Sequence, residues 1–340
     1  MGGRNARIDM LKGILIFLVV WAHAIQYSFG YEYGENFECF NDGIHRIICS
    51  FHMPLFMAIS GYLFYYSNKK PAIVIVKSKL QNIGIPYLTF CTISLLLFNM
   101  SAIRDLDWMN ILGSYKNGFW FLTSYLLNSL IVLTVTRVVN NRNCQYLLFS
   151  VIGISALFIP GEYLYNTHAY VYPAFVVGYI VNELEIKIRI KKWMTIPAMI
   201  LLCGSAFYFS RDLYVYTTGI SINQDYKQLW IDIIRWGIAL VNSVCYIVVV
   251  YSFEFNGWLS DALARFSKCS IGIYCLSMII QLVVYKLMHY VNIAIVHNYI
   301  LSVVMAIITI VVCERMLWVS SKVKILNVLL LGGRGMFGKQ

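Results

Sequence analysis

Ten apolar runs take up most of this 340-residue chain, at roughly 8–27, 44–66, 82–100, 117–138, 145–160, 169–183, 194–210, 230–252, 270–290 and 298–319. A helix needs about 20 consecutive apolar residues to cross bilayer hydrocarbon. Within that hydrocarbon the backbone must satisfy its own hydrogen bonds, which a helix does inside one segment. The pattern predicts an all-α integral membrane protein of about ten transmembrane helices. Composition excludes the other classes. The chain is 59% hydrophobic and only 13% charged, which rules out an ordinary soluble enzyme, a disordered protein and a secreted disulfide scaffold. The runs at 145–160 and 169–183 are short and carry Pro160 and Pro173 near their outer ends, so tilted, broken or re-entrant segments are expected there. No repeat, low-complexity stretch or linker divides the chain, so residues 1–320 read as one membrane domain and 321–340 as a short basic cytoplasmic tail.

The net charge of +11 sorts by side of the membrane. With the N-terminus inside, nineteen of the 27 basic residues fall in inner segments, including Arg4, Arg7, Lys69, Lys70, Lys77, Lys79, Arg137, Lys187, Arg189, Arg265, Arg315, Arg334 and Lys339. Ten of the sixteen acids, among them Glu32, Glu35, Glu38 and Asp42, fall outside. Both termini are therefore predicted to be cytoplasmic. The basic residues read as topology signals, and no nucleic-acid role is expected. Arg4, Arg7 and Lys12 before an apolar stretch ending Ala22-His23-Ala24 look like a cleavable leader, but Asp9 fits a leader poorly, and the segment is read as an uncleaved anchor. Nine Cys, most in or beside apolar runs and without a C-x-x-C pair, read as small buried residues, and no metal site is expected.

Ionisable residues inside a span cost about 2.5–3.5 kcal/mol each to insert, so they are functional candidates. The first run holds Asp9, Lys12 and His23. Lys12 and His23 are eleven residues apart, three helical turns plus about 20°, so they share a face with a rise of roughly 16 Å between them. The plainer alternatives are a snorkelling Lys12 partnered by Asp9 and a His23 hydrogen-bonded between helices. The second run, Phe51-His52-Met53-Pro54-Leu55-Phe56 followed by Ile59-Ser60-Gly61-Tyr62, puts His52 in the outer half as well. Two histidines at similar depth on adjacent spans can face one cavity. Ser60 and Gly61 suit close helix approach, and Pro54 predicts a kink. Phe119-Trp120-Phe121-Leu122 reads most simply as part of an interfacial aromatic belt, together with Trp193, Trp230 and Trp236. His168, His289 and His297 read as surface histidines near outer loops.

Taken together, these segments resemble acyltransferase family 3, bacterial membrane O-acyltransferases that decorate glycans, and within it the group similar to fucose 4-O-acetylase. The resemblance rests on Arg7-Ile8-Asp9-x-x-Lys12-Gly13 running to Val19-Val20-x-x-His23, on the His52 and Ser60-Gly61-Tyr62-Leu63 segments, and on Phe119-Trp120-Phe121-Leu122. Weaker echoes are Pro173-Ala174-Phe175-x-x-Gly178 and Ser270-Ile271-Gly272-Ile273-Tyr274. The family commonly has arginine where this chain has Lys12, which keeps the charge without the bidentate fork. Some members carry an added extracytoplasmic hydrolase-like domain. This chain ends about twenty residues after its last run, so it is expected to pass the acyl group on itself.

The resemblance implies a cytoplasmic acyl-CoA donor, most simply acetyl-CoA as co-substrate, and a glycan or lipid-linked saccharide acceptor, in a bacterial inner membrane. His23 is then a general base on a sugar hydroxyl or a transient acyl carrier. His52 orients His23, binds the sugar or stabilises the oxyanion. Lys12, with Lys69 and Lys70, meets the donor's phosphates. Ser60, Trp120 and Tyr274 are candidate substrate contacts. The main alternative is a secondary transporter or lipid-linked-glycan flippase, which predicts repeated halves with paired Gly/Pro breaks; no such correspondence is apparent. A non-catalytic sensor or assembly subunit is a third reading. The residues alone leave enzyme and transporter near parity, and oligomeric state stays open.

Overall fold

A computed structural model describes residues 6–30, 38–160, 166–186, 190–222, 226–291 and 297–333. Arg4, Glu32, Glu35, Lys187, Arg189, Arg334 and Lys339, used in the charge count above, lie outside the described residues. The described chain is all-helical, with no strand among the described residues. In order it forms α1 (Ala6–Ser28), α2 (Gly43–Asn68), α3 (Ala72–Lys79), a π-helical turn (Leu80–Gly84), α4 (Ile85–Phe98), α5 (Met100–Arg104), α6 (Trp108–Asn117), α7 (Trp120–Val138) and α8 (Arg142–Ala156). There follow α9 (Asn166–Glu183), α10 (Thr195–Tyr208), α11 (Val215–Thr218), α12 (Lys227–Ser252), α13 (Trp258–Lys268), α14 (Ser270–Tyr290), α15 (Tyr299–Lys322) and α16 (Lys324–Leu331).

Seven helical stretches are long and apolar enough to cross a membrane: α1, α2, Ala72–Phe98, α7, α12, α14 and α15. This is a multi-pass membrane protein. The apolar runs at 145–160, 169–183 and 194–210 become the shorter α8, α9 and α10, of 15, 18 and 14 residues. Side chains cap several starts. The Asp42 carboxylate accepts from the His45 amide at 2.7 Å and starts α2, and Asn141 and Asn298 do the same for α8 and α15. Residues 324–331 of the tail fold into α16, which turns back onto α4.

Two helices form the centre. α2 has 67% of its apolar window buried and α1 50%, against 28% for Ala72–Phe98. α1 touches α2, α12, α13, α14 and α15, while α2 touches α7, α9, α10 and α12. Glycines permit the tightest crossings. A Cβ on Gly61 would lie 1.9 Å from the Phe175 carbonyl oxygen, and one on Gly178 would lie 1.8 Å from that of Ala58. α2 and α9 therefore meet backbone to backbone, the close approach expected of Ser60-Gly61. Likewise a Cβ on Gly13 would lie 2.3 Å from the Leu263 carbonyl oxygen, so α13 presses against α1 one residue beyond Lys12.

Candidate active site

His23 and His52 lie on the two central helices. His23 is half-buried, and its Nδ1 is 3.0 Å from the Gln26 side-chain carbonyl oxygen, one turn further along α1. A carbonyl oxygen only accepts, so Nδ1 carries the proton and Nε2 keeps its lone pair. His52 is buried, and its Nδ1 donates to the Ile48 carbonyl at 2.7 Å. It is therefore the same tautomer, again with a lone pair on Nε2. A third imidazole, His45, lies two α2 turns before His52 and contacts the Tyr214 hydroxyl at 3.2 Å.

A narrow apolar crevice lies between α1, α2, α7 and α14, and neither histidine is among its lining residues. Val19, Met53, Phe56, Phe121, Ser270, Ile271 and Tyr274 line it. Val19 is one α1 turn before His23, and Met53 follows His52 directly. Tyr274 is buried, with its ring 5.8 Å from Phe121 and 6.1 Å from Phe119. The Phe119–Leu122 segment is not an interfacial belt: all four residues are at most 8% exposed. Phe119 has a φ of 44°, a left-handed turn immediately before α7. Trp120 packs edge-on against Tyr216 at 6.4 Å. Trp193 and Trp230 are exposed as a belt requires, whereas the Trp236 indole donates to the Tyr170 carbonyl at 3.0 Å.

At the other end of α1, Lys12 Nζ donates to the Ser267 carbonyl at 3.3 Å, and the Ser267 hydroxyl donates to Asp9 at 2.9 Å. The N-terminal part of α1 is thus fastened to α13. Lys69 and Lys70 are exposed at the end of α2, Lys69 with its ammonium 4.6 Å above the Tyr65 ring and Lys70 accepting from Arg137 at 2.7 Å through its carbonyl. They flank α7, away from the α13 contact of Lys12. Ser60 donates to the Phe56 carbonyl of its own helix at 2.8 Å.

Two histidines read as surface residues are built into contacts instead. His168 Nδ1 is 2.6 Å from the Ser124 hydroxyl, which in turn donates to the Trp120 carbonyl at 2.8 Å. His297 stacks on Phe29 at 4.1 Å, with Nδ1 2.7 Å from Ser28 and Nε2 3.7 Å from Asp42. His289 is exposed, as expected. The sequence reading missed Gln26 and His45. Both were visible as polar residues at helical spacing from the candidate histidines, three and seven positions away.

The acyltransferase domain family matches residues 5–315. The chain is similar to nodulation protein NolL of Mesorhizobium japonicum, 30% identical over 193 residues, covering 52% of this chain and 48% of that protein. It is also similar to nodulation protein NolL of Sinorhizobium fredii, 28% identical over 242 residues, covering 66% and 64%. The chain thus spans about half to just under two thirds of these curated relatives. No solved structure matches it.

Proposed function

This chain belongs to the acyltransferase domain family, and from that premise we propose that it moves an acyl group, acetyl in the simplest case, from cytoplasmic acyl-CoA to a hydroxyl of a cell-surface or lipid-linked glycan. The proposal includes ten crossings of a bacterial inner membrane, both termini cytoplasmic and 321–340 as the basic tail. The observation that carries it is the pair of imidazoles on the two central helices, His23 and His52, each with its Nδ1 bonded to a carbonyl oxygen and its Nε2 left to accept.

His23 Nε2 takes the proton of the sugar hydroxyl as that oxygen attacks the thioester carbonyl. The tetrahedral intermediate then expels the thiol of coenzyme A, which leaves with the proton held by His23. Gln26 fixes the His23 tautomer in the way that a partner fixes the base of a hydrolytic triad. In its observed tautomer His52 Nε2 accepts and does not donate, so its part is to hold a donor such as the attacking hydroxyl. The same His23 lone pair serves if the acyl group first rests on the imidazole. The crevice is apolar and, at about 20 Å³, has room for about one water, so a thin pantetheine arm enters only as its lining side chains part. Lys12 supplies positive charge at the donor's entry, with Lys69 and Lys70 as outlying cations. Tyr216 offers an exposed aromatic face to a sugar with the buried Trp120 packed against it, Tyr274 lines the crevice, and Ser60 is the further polar candidate on α2.

The test is a titration of the detergent-purified chain with acetyl-CoA and CoA, comparing wild type, Lys12→Ala and His23→Ala. Saturable binding that weakens in Lys12→Ala and persists in His23→Ala is expected. No binding by folded wild-type protein would overturn the reading.

A further inference from the structure

A cavity of about 360 Å³ lies between the end of α13 and the last turns of α15, lined by Arg265, Glu314, Arg315 and Trp318. Its chemistry is that of a phosphate site with an aromatic wall. Arg265 is held in place by Glu314 at 2.7 Å, and the Glu314 carboxylate is itself buried. Arg315 forms no ion pair with an acid among the described residues, so its guanidinium fork is available to an anion. The Trp318 indole is part-exposed, with the Lys322 ammonium 3.5 Å above its ring. Two guanidinium groups thus share the cavity with one carboxylate.

Position gives this cavity its meaning. One short stretch of chain links it to the apolar crevice. Arg265 lines the cavity, Ser267 fastens Lys12 and Asp9, and Ser270, Ile271 and Tyr274 line the crevice, where they meet Val19, one turn before His23 on α1. We propose that the Arg265–Arg315–Trp318 cavity seats the phosphate-bearing nucleotide of the acyl donor, with the adenine against Trp318 and the phosphates on Arg315 and Arg265, so that the thioester arm follows the α13–α14 junction into the crevice. This rests on the acyl-CoA reading above and assigns a subsite to it. It shifts the main phosphate contacts from Lys69 and Lys70 to α13 and α15. A phospholipid headgroup shares the phosphate chemistry, but it has no use for a route from the cavity to the crevice, and this favours the nucleotide.

The test uses the full chain in detergent and in nanodiscs of neutral lipid. CoA, dephospho-CoA and adenosine 3′,5′-bisphosphate are titrated against wild type, Arg315→Gln and Trp318→Leu, with Lys286→Gln, a cation outside the cavity, as control. Loss of one charge-assisted contact is expected to weaken CoA binding by about tenfold or more in Arg315→Gln. Adenosine 3′,5′-bisphosphate should compete with CoA in wild type, and Trp318→Leu should weaken both ligands. Lys286→Gln should bind as wild type does. Wild-type CoA binding that neither cavity variant changes would overturn the subsite and leave the acyltransferase reading standing. Absence of CoA binding in wild type would overturn both. Anionic phospholipid that co-purifies with wild type and is lost in Arg315→Gln, with CoA affinity unaltered, would assign the cavity to a headgroup and also overturn the proposal.

Discussion

Each central imidazole has its Nδ1 proton committed to a carbonyl oxygen of its own helix, Gln26 for His23 and Ile48 for His52. That commitment decides what each ring can do, because only Nε2 remains to accept a proton or an acyl group. His23→Ala should abolish transfer while protein yield and thermal stability hold, measured as labelled acetyl incorporated into envelope glycan. Gln26→Leu should keep CoA affinity but lower the transfer rate by about tenfold, the scale of one neutral hydrogen bond, and Gln26→Asn should recover part of it. Equal rates in Gln26→Leu and wild type would leave Gln26 with no part in positioning. At this scale the sequence was most legible where polarity broke an apolar run. Lys12, His23 and His52 stood out because few residues in those spans ionise, whereas His45 and Arg46, at the edge of the second run, were passed over. Trp120 and His168 were misread because an aromatic or imidazole facing lipid headgroups and one buried between helices occur in the same apolar stretch. What separates the two is packing against residues distant in the sequence, such as Tyr216 for Trp120 and Ser124 for His168.

The crossing of α2 and α9 illustrates what an element needs from its neighbours. Gly61 and Gly178 leave no room for a Cβ because the opposing atoms are backbone carbonyls that cannot swing aside. Gly61→Leu or Gly178→Val should therefore cost about 3 kcal/mol or more, read as a drop in unfolding temperature or loss of the monodisperse peak in detergent. A second element depends on a buried charge. Arg235 and Asp232 pair at 2.7 Å with both side chains fully buried, and Arg235 also donates to the Leu213 and Gly219 carbonyls and to Thr218. One guanidinium thus ties the segment 213–219, which bears Tyr216, to α12. Arg235→Leu should destabilise by about 3–5 kcal/mol by stranding Asp232. Asp232→Leu in addition should restore part of that in a thermal melt. These couplings were hidden in the sequence, where Asp232 and Arg235 counted only toward the charge on the outer side.

For the molecule as a whole, the apolar runs made the class plain, since periodicity and length need no partner to be read. Burial order was not plain. Lipid and protein interior are equally apolar, so hydropathy alone does not show that α1 and α2 form the centre and α4 the rim. The shortness of α8, α9 and α10 is part of the same ambiguity, because a short apolar run packs within a bundle as readily as it crosses a bilayer. The charge asymmetry makes its own claim. With Cys144 and Cys203 replaced by Ser, an impermeant thiol reagent applied to intact spheroplasts should label Asp212→Cys and spare Asn140→Cys. The reverse pattern would invert the topology. The most direct test of the whole account is transfer of labelled acetyl from acetyl-CoA supplied to the cytoplasmic face of inverted membrane vesicles into glycan on the other face, with wild type beside His23→Ala. Label in glycan with wild type and none above background with His23→Ala is the expected result, while equal labelling by both, or none by either from folded protein with acceptor present, would contradict it.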